Sequence, residues 1–369
     1  MEKILRIISS IKFKTIILTI ISIIFIISFY ISITEFKSND PQTKLNPILS
    51  KEGRELTTVT VNIETGLLIK NFPYFSIIEN KFIVDVLLWF KFDPDEISLS
   101  TIEKFSFENG KISDKSSPDI RNIGNKVLAK YNVIIEINGN LDYHKFPIED
   151  HSLSIILINN FVTPNEVIFN VLHTDFVISP DIFIPNWKVR NLNTSFGIDE
   201  DPLNQLDKTK TTAHPKAIFI MNLEKDGFRK AFIIFLPIFL VFFFALLSLF
   251  LSIQSTAGRA RLAASSVAAL LTYRFIIEGM MPKVGYFTTA DLVYGVLLTC
   301  AFITLFINII ITKVFNDANP SIEDIDEITK LRRSKKLEKI IGQLNIVRDS
   351  TFVIISITST IFISYFILI

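Results

Sequence analysis

Three largely uncharged stretches crowd into residues 231–312, and the middle stretch differs from its two neighbours. Residues 231–253 and 292–312 contain no Asp, Glu, Lys, Arg or His. Each of them is long enough to cross a hydrocarbon layer of about 30 Å. The segment between them, residues 259–279, carries charged and hydroxyl side chains and would insert poorly by itself. The chain therefore has to fold around a membrane helix that is itself partly polar.

One side of this middle segment carries a narrow stripe of polar or small side chains. At about 100° per residue, the stripe consists of Arg261, Ser265, Ala268, Thr272 and Gly279. A polar stripe at membrane depth has to face protein or water. Two lipid-facing helices that shield a water-facing helix are typical of a pore, so the sequence predicts an ion channel.

Composition agrees with a membrane protein and excludes several other classes. The 369 residues have room for a water-soluble domain and a membrane bundle, and 49% of them are hydrophobic, with 34 Phe. A net charge of +1 gives no reason to expect a nucleic-acid partner. The only cysteine, Cys300, excludes an intrachain disulfide and a Cys-based metal site.

Enzyme chemistry is not expected. The sequence contains no nucleophile elbow, no P-loop and no Gly-rich nucleotide motif. Its four histidines are scattered, which argues against a metal cluster. We therefore expect no cofactor and no bound metal.

The N-terminal part predicts a membrane anchor. Residues 15–34 are uncharged and follow a basic segment, residues 1–14, which places the N-terminus in the cytoplasm. The run is longer than a usual signal-peptide core, and no convincing cleavage site follows it. We expect an uncleaved anchor helix, with a cleaved signal as the alternative, and then a polar linker over residues 35–53.

Residues 54–228 switch to a period of two. Segments rich in β-branched and aromatic residues recur between clusters of Asn, Gly, Asp and Pro. They are 58–63, 81–92, 130–137, 151–158, 167–172 and 216–223. Their number and spacing predict an immunoglobulin-like β-sandwich.

Residues 229–369 predict a membrane domain. We expect helices at about 231–253, 258–279, 288–313 and 350–369. Residues 314–349 between the last two are strongly charged, with an amphipathic stripe, and their basic residues place this loop in the cytoplasm. The resulting topology is a multi-pass protein of the inner or plasma membrane, with the sandwich on the outer or periplasmic side.

The order of these parts resembles the pentameric ligand-gated ion channels, the Cys-loop receptor superfamily. Pro237 in the first pore-domain helix, PKVGYFTTAD at 282–291 and FPIEDHSL at 146–153 resemble that family's motifs, and Arg229 stands at its basic position before the first helix. The chain resembles prokaryotic members because the cysteine pair is absent. It departs from the family in its N-terminal helix, and Glu149 and His151 replace an Asp and a Gln of the loop motif.

The resemblance implies a homopentamer in which five copies of the second helix line the ion path. The implied pore-lining residues are Arg261, Ser265, Ala268, Thr272, Phe275, Ile276 and Gly279. Rings of Arg259 and Arg261 near the cytoplasmic end would favour anions such as chloride. Glu278 at the outer mouth would oppose this preference, although Arg274 four residues earlier could neutralise it.

Three alternatives stay open for this pore. Arg261 can simply extend to the membrane interface, with its charge turned away from the axis. The channel can instead be cation-selective. The same fold can also serve as a nonconducting envelope sensor or interaction protein.

The resemblance also implies residues that couple the two domains. Glu149 would pair with Arg229, while Phe146 and Pro147 would dock near Pro282 and Lys283. The alternative is that these residues only hold the domains together.

Ligand sites in this family lie between neighbouring sandwiches and use aromatic rings to bind amines. The candidates are Trp89, Phe105, Phe107, Phe161 and Phe196, of which Trp89 is preferred, although a single aromatic is often a core residue. The expected partners are other copies of the chain, membrane lipids, inorganic ions and an unknown small molecule or protons. His144 and His151 flank the FPIED loop, which allows the hypothesis of proton gating.

Overall fold

The chain divides into a helical unit and a β-rich unit. A computed structural model describes residues 11–34, 36, 38–41, 45, 60–202, 211–225, 229–319 and 327–368. The helical unit comprises Met1–Glu35, Tyr143–Ile148 and Phe228–Ile369, and the β-rich unit comprises Phe36–Asp142 and Glu149–Gly227. Most of the predicted basic N-terminus 1–14 and of the predicted linker 35–53 lies outside the described residues.

Eleven strands in the described residues form a barrel-like β domain. They are β1 Val61–Ser76, β2 Lys81–Phe92, β3 Ser106–Phe107, β4 Gly110–Lys115, β5 Asp119–Ile123, β6 Lys126–Asn138, β7 His151–Ile158, β8 Val167–Asn170, β9 Phe176–Ile178, β10 Trp187–Pro202 and β11 Thr211–Lys225. Each of the six strand segments predicted from the sequence overlaps one of these strands. The predicted domain is thus β-rich.

The strands are hydrogen-bonded in the order β10-β11-β7-β3-β4-β6-β2-β1-β8. Strand β5 pairs with β6, and β9 pairs with β1. Most neighbours are antiparallel, but β8 and β9 run parallel to β1. Strands distant in sequence, such as β1 and β8, therefore meet side by side.

Strand β2 shows why this sequence forms a sheet. Its buried residues alternate with half-buried ones along all twelve positions. The inward set is Phe82, Val84, Val86, Leu88, Phe90 and Phe92, each at most 1% exposed. Burying a side chain of this size contributes about 1.5–3 kcal/mol, so the period of two fixes which face of β2 points to the core.

Six α-helices lie in the described residues. They are α1 Ile11–Thr34, the short α2 Leu99–Ile102, α3 Arg229–Leu247, α4 Thr256–Met280, α5 Thr289–Ala318 and α6 Glu327–Leu368. Four of the helical segments are long and apolar enough to cross a membrane: 229–247, 256–280, 289–318 and 334–367. These helices indicate a membrane protein in which a β-rich domain is followed by four apolar helices.

The C-terminal helix is longer than its apolar run. The sequence predicts a loop at 314–349, but α5 continues to Ala318 and α6 begins at Glu327, so most of this segment is helical. Leu344 packs in a small buried core with Ile311 and Phe315. This apolar contact stabilises the helical conformation of α6 around Leu344.

Candidate functional site

Helix α4 has one face inside the chain's own bundle and one face outside it. Its buried residues are Arg259, Ala263, Ser266, Val267, Leu270 and Ile277. All seven predicted pore-lining residues lie on the other face and are exposed in the single chain: Arg261, Ser265, Ala268, Thr272, Phe275, Ile276 and Gly279. The structure thus brings the predicted stripe together on one continuous surface.

This surface differs in chemistry from the exposed faces of the other membrane helices. Within their uncharged runs, residues 231–247, 292–312 and 350–368, helices α3, α5 and α6 expose mainly large apolar side chains. Examples are Phe232, Leu236, Phe244, Phe302, Phe306, Ile310, Ile354, Ile361 and Phe362. The exposed face of α4 carries arginine, hydroxyl and small side chains over residues 261–268, and larger apolar ones only from Leu271, with Phe275 76% exposed. The exposed face of α4 is therefore more polar than the uncharged runs of the other three helices.

The two arginines predicted to set selectivity occupy different environments. Arg261 is exposed on the stripe. Arg259 is fully buried, and its Nε donates to Asn308 Oδ1 at 3.1 Å. The Asn308 amide in turn donates to Ser248 Oγ at 2.8 Å, which links α5 to residues just after α3. Arg259 therefore joins three helical segments instead of pointing to the exposed face.

At the other end of α4, Arg274 pairs with an acid on a different helix from the one predicted. Its guanidinium contacts the Asp291 carboxylate in the first turn of α5, whereas the sequence places it beside Glu278. Asp291 is held by a capping box, accepting from Thr288 N and Oγ1 at 2.9 Å each. Glu278 is exposed on α4. Its negative charge is therefore not neutralised by the expected arginine.

The loop at 143–148 packs onto the beginning of α5. The backbone N–H groups of Thr289 and Ala290 donate to the carbonyl oxygens of His144 and Phe146 at 2.8 and 3.0 Å. These donors belong to the first turn of α5, where no partner exists within the helix. The His144 ring also stacks on Tyr286 at 3.9 Å between centroids. The loop thus acts as a cap for the helix that carries Asp291.

The sequence predicts that Phe146 and Pro147 dock near Pro282 and Lys283, a prediction that these contacts do not test. Pro147 follows a cis peptide bond after Phe146. The contacts lie a few residues past Pro282 and Lys283, at 286–290. The Thr-Thr-Ala-Asp start of α5, a recognisable capping signal, was the feature that could have found them.

The charged residues around this loop make contacts within their own units. Glu149 is buried, and its Oε1 lies 3.3 Å from Lys225 Nζ within the β domain. Arg229 is exposed at the start of α3, and the ammonium of its neighbour Lys230 lies 4.4 Å from the centre of the Phe146 ring. Glu149 and Arg229 belong to different units, so their pairing stays a prediction.

The five predicted ligand aromatics occupy unlike environments. Phe105 and Phe107 are buried, with ring centroids 6.1 Å apart. Trp89 is half-buried and lies over Gly66 of strand β1, where a Cβ would overlap the indole. Phe161 is 68% exposed, with Lys104 Nζ 5.0 Å from its ring centre, and Phe196 is 38% exposed. Among the five candidates, Phe161 and Phe196 therefore have the largest exposed fractions and are the most accessible to a ligand.

Phe105 belongs to an aromatic cluster that a lysine of the same chain covers. Lys115 Nζ lies 4.2 Å from the Phe105 ring centre and 5.0 Å from that of Tyr131. Burial lowers the pKa of Lys115 and raises the pKa of Tyr131 to about 12. The Lys115 side chain of the same chain therefore already covers this aromatic cluster.

A second polar cluster lies where α1 meets α6. Lys14 pairs with Asp349, and both side chains are at most 3% exposed. Arg348 also contacts Asp349 at 2.9 Å and donates to the Leu251 carbonyl at 3.3 Å. The charges are paired as buried charges must be.

Within the described residues, no group of three or more His, Cys, Asp or Glu side chains is placed to hold a metal ion.

Comparison with known proteins does not identify a family for this chain. No protein-family model matches the chain, and no curated protein matches it either.

Proposed function

We propose that the chain is one subunit of a homopentameric ligand-gated ion channel that passes small anions such as chloride. The observation that carries this proposal is the exposed stripe on α4, running from Arg261 through Ser265 and Ala268 to Thr272. A face of this kind is expensive against lipid. Five copies arranged around an axis would turn it toward a shared water-filled path, with α3, α5 and α6 between that path and the lipid.

In the proposed channel, five Arg261 guanidinium groups form a ring near one end of the pore. Positive charge in a narrow path concentrates anions and repels cations. Phe275 and Ile276 at the other end would form an apolar constriction that closes by dewetting. Arg259 supports the ring indirectly, because its contact with Asn308 holds the same turn of α4 against α5.

The proposed gating route follows contacts within the helical unit. The loop 143–148 bonds the first turn of α5, whose Asp291 binds Arg274 of α4. A movement of the loop would therefore change the position of α4 near its C-terminal end, where Arg274 lies. In this proposal the barrel-like domain is an immunoglobulin-like sandwich that binds the ligand on the outer side of the cell membrane, and α1 is an additional membrane anchor with a cytoplasmic N-terminus.

The direct test is a current recording from purified full-length protein in planar bilayers under a KCl gradient. Conditions should span about pH 4 to pH 8 and a panel of small amines. The proposal expects a reversal potential near the chloride equilibrium. Arg261→Ala should move it toward zero, whereas Arg261→Lys, which keeps the charge, should not. Silence of verified pentamers in every condition, or a potassium-like reversal potential, would contradict an anion channel.

A cation-selective channel is the second candidate, and one contact favours it. Arg274 contacts Asp291 and not Glu278, and the exposed Glu278 lies at the proposed outer end of the stripe. A ring of five carboxylates there would attract cations. Under this alternative, the same recording gives a reversal potential near the potassium equilibrium, and Glu278→Gln weakens that selectivity.

A further inference from the structure

The most densely bonded carboxylate in the described part of the β domain belongs to Asp40, in the segment that joins α1 to the domain. Its side chain is buried, with the residue 7% exposed. Oδ1 accepts from Asp142 N at 2.5 Å, and Oδ2 accepts from Ser152 N at 2.7 Å. Ser38 Oγ donates to Oδ2 at 3.0 Å, and His151 Nδ1 lies 3.1 Å from the same oxygen. Asp40 therefore accepts from both sides of one loop.

The position of these donors matters because they bracket the coupling loop. Asp142 is the last residue of the β-rich unit before residues 143–148, and His151 and Ser152 open strand β7 just after them. The two oxygens of a single carboxylate thus hold the entry and the exit of this loop together. Closing a loop at its base removes conformational freedom from every residue in it.

The surroundings of Asp40 strengthen this arrangement. His151 is fully buried, and its ring lies 5.4 Å from that of Trp187. Ser152 Oγ donates to Asn222 Oδ1 at 2.7 Å, which ties the exit of the loop to strand β11. Hydrogen bonds to a charged acceptor in a buried site are stronger than those between neutral groups. No cysteine is available to close this loop covalently, since Cys300 is the only one in the chain.

We propose that Asp40 is a positioning residue for gating: it clamps the base of loop 143–148, so the segment after α1 is part of the coupling machinery. This inference rests on the proposed function, in which that loop moves α5 and α4. It gives the N-terminal segment a role besides anchoring. Asp40 acts through the backbone of Asp142 and Ser152 and touches no permeating ion or ligand.

The first test is amide hydrogen exchange of the full-length protein in lipid nanodiscs. Asp40→Asn is nearly isosteric but has only one acceptor oxygen, so it should speed exchange in the peptide covering 142–152 by about tenfold, and Asp40→Ala by more. Exchange in strands β2 and β6 should stay unchanged. The matched control is Asp114→Asn, an exposed carboxylate on strand β4, which should leave the loop unaffected. Unchanged loop exchange in both Asp40 variants would overturn the clamp.

An engineered disulfide tests the proposal even if an Asp40 variant fails to fold. In a Cys300→Ser background, Asp40→Asn is combined with Asp142→Cys and Ser152→Cys. If closing the base of the loop is what Asp40 does, the oxidised protein regains slow exchange or regains assembly, and reduction abolishes the rescue. Equal behaviour of the oxidised and reduced protein, with the disulfide verified by mass spectrometry, would overturn the proposal.

The functional readout is the open probability of single channels. Asp40→Asn should lower it several-fold while unitary conductance and reversal potential stay as in the wild type, and the oxidised disulfide should restore it. A residue needed only for folding would change the number of channels and not the open probability of each. Faster loop exchange with an unchanged open probability would overturn the gating role. If the wild type carries no current, the channel proposal fails, and exchange alone decides whether the clamp exists.

Discussion

At the residue scale, two arginines of one helix show how small a difference in position separates structural from functional roles. Arg259 and Arg261 are two residues apart, which turns their side chains about 200° from each other around the helix axis. Arg259 is buried against Asn308, and Arg261 is exposed. The first stabilises the bundle, and only the second lies on the face proposed to line the pore.

Replacing each arginine by alanine should separate these roles. Arg259→Ala leaves the side-chain oxygen Oδ1 of Asn308 without its arginine donor and opens space in the bundle, so we expect a loss of about 2 kcal/mol in the free energy of unfolding. Arg261→Ala should change it by less than about 0.5 kcal/mol. Thermal unfolding of the protein in detergent, followed by the helical signal in circular dichroism, measures both. Equal destabilisation by the two substitutions would contradict the assigned burial.

At the element scale, α4 and α6 owe their character to different neighbours. Helix α4 buries one face against α3 and α5 and leaves the polar stripe outside, which is the arrangement that a water-filled path requires. Helix α6 is 42 residues long, and around Leu344 it packs on Ile311 and Phe315 of α5 and on Ile253, which follows α3. In both helices the packing partners decide which of the described residues are buried and which are exposed.

Adjacent serines on α4 provide a direct test of the exposed face. In a Cys300→Ser background, Ser265→Cys should react readily with a charged methanethiosulfonate reagent and reduce the current. Ser266→Cys should react far more slowly because Ser266 is only 3% exposed and faces the bundle. A thiol facing lipid stays protonated and unreactive. Slow reaction at both positions would therefore place the stripe against lipid or protein.

The contact of α6 with the bundle can be tested in the same way. Leu344 is 7% exposed and belongs to the core with Ile311 and Phe315. Leu344→Ala should cost about 2–4 kcal/mol of stability, in line with other large-to-small changes in cores. The control is Ile346→Ala, since Ile346 is 40% exposed. Circular dichroism during heating reports the loss, and similar melting of both variants would argue against the observed packing.

At the scale of the whole molecule, the β-rich unit and the helical unit share one short chain segment. Residues 143–148 belong to the helical unit although the chain on both sides belongs to the β-rich unit. A segment of this kind joins the two units twice and is held at its base by Asp40. In the proposed channel, a signal would pass from one unit to the other through this segment.

The oligomeric state is the prediction that belongs to this scale. If the polar stripe of α4 faces a shared path, the purified protein should assemble into a closed ring with cyclic symmetry. Native mass spectrometry from detergent should give about five times the chain mass of 42.1 kDa. A monomer, under detergent conditions that keep the β domain folded, would remove the basis for a pore between subunits.

Local patterns in the sequence determined the elements of this protein. The period of two in residues 81–92 became strand β2, the uncharged runs became membrane-length helices, and the stripe on α4 was exposed as its 100° spacing required. Tertiary structure alone decided which arginine was buried, that Arg274 would bind Asp291 instead of approaching Glu278, and that Asp40 would hold a loop 102 residues away. Periodicity determines on which face of its own helix or strand each residue lies. It carries no information about which distant element will cover that face, because that choice depends on the packing of the whole chain.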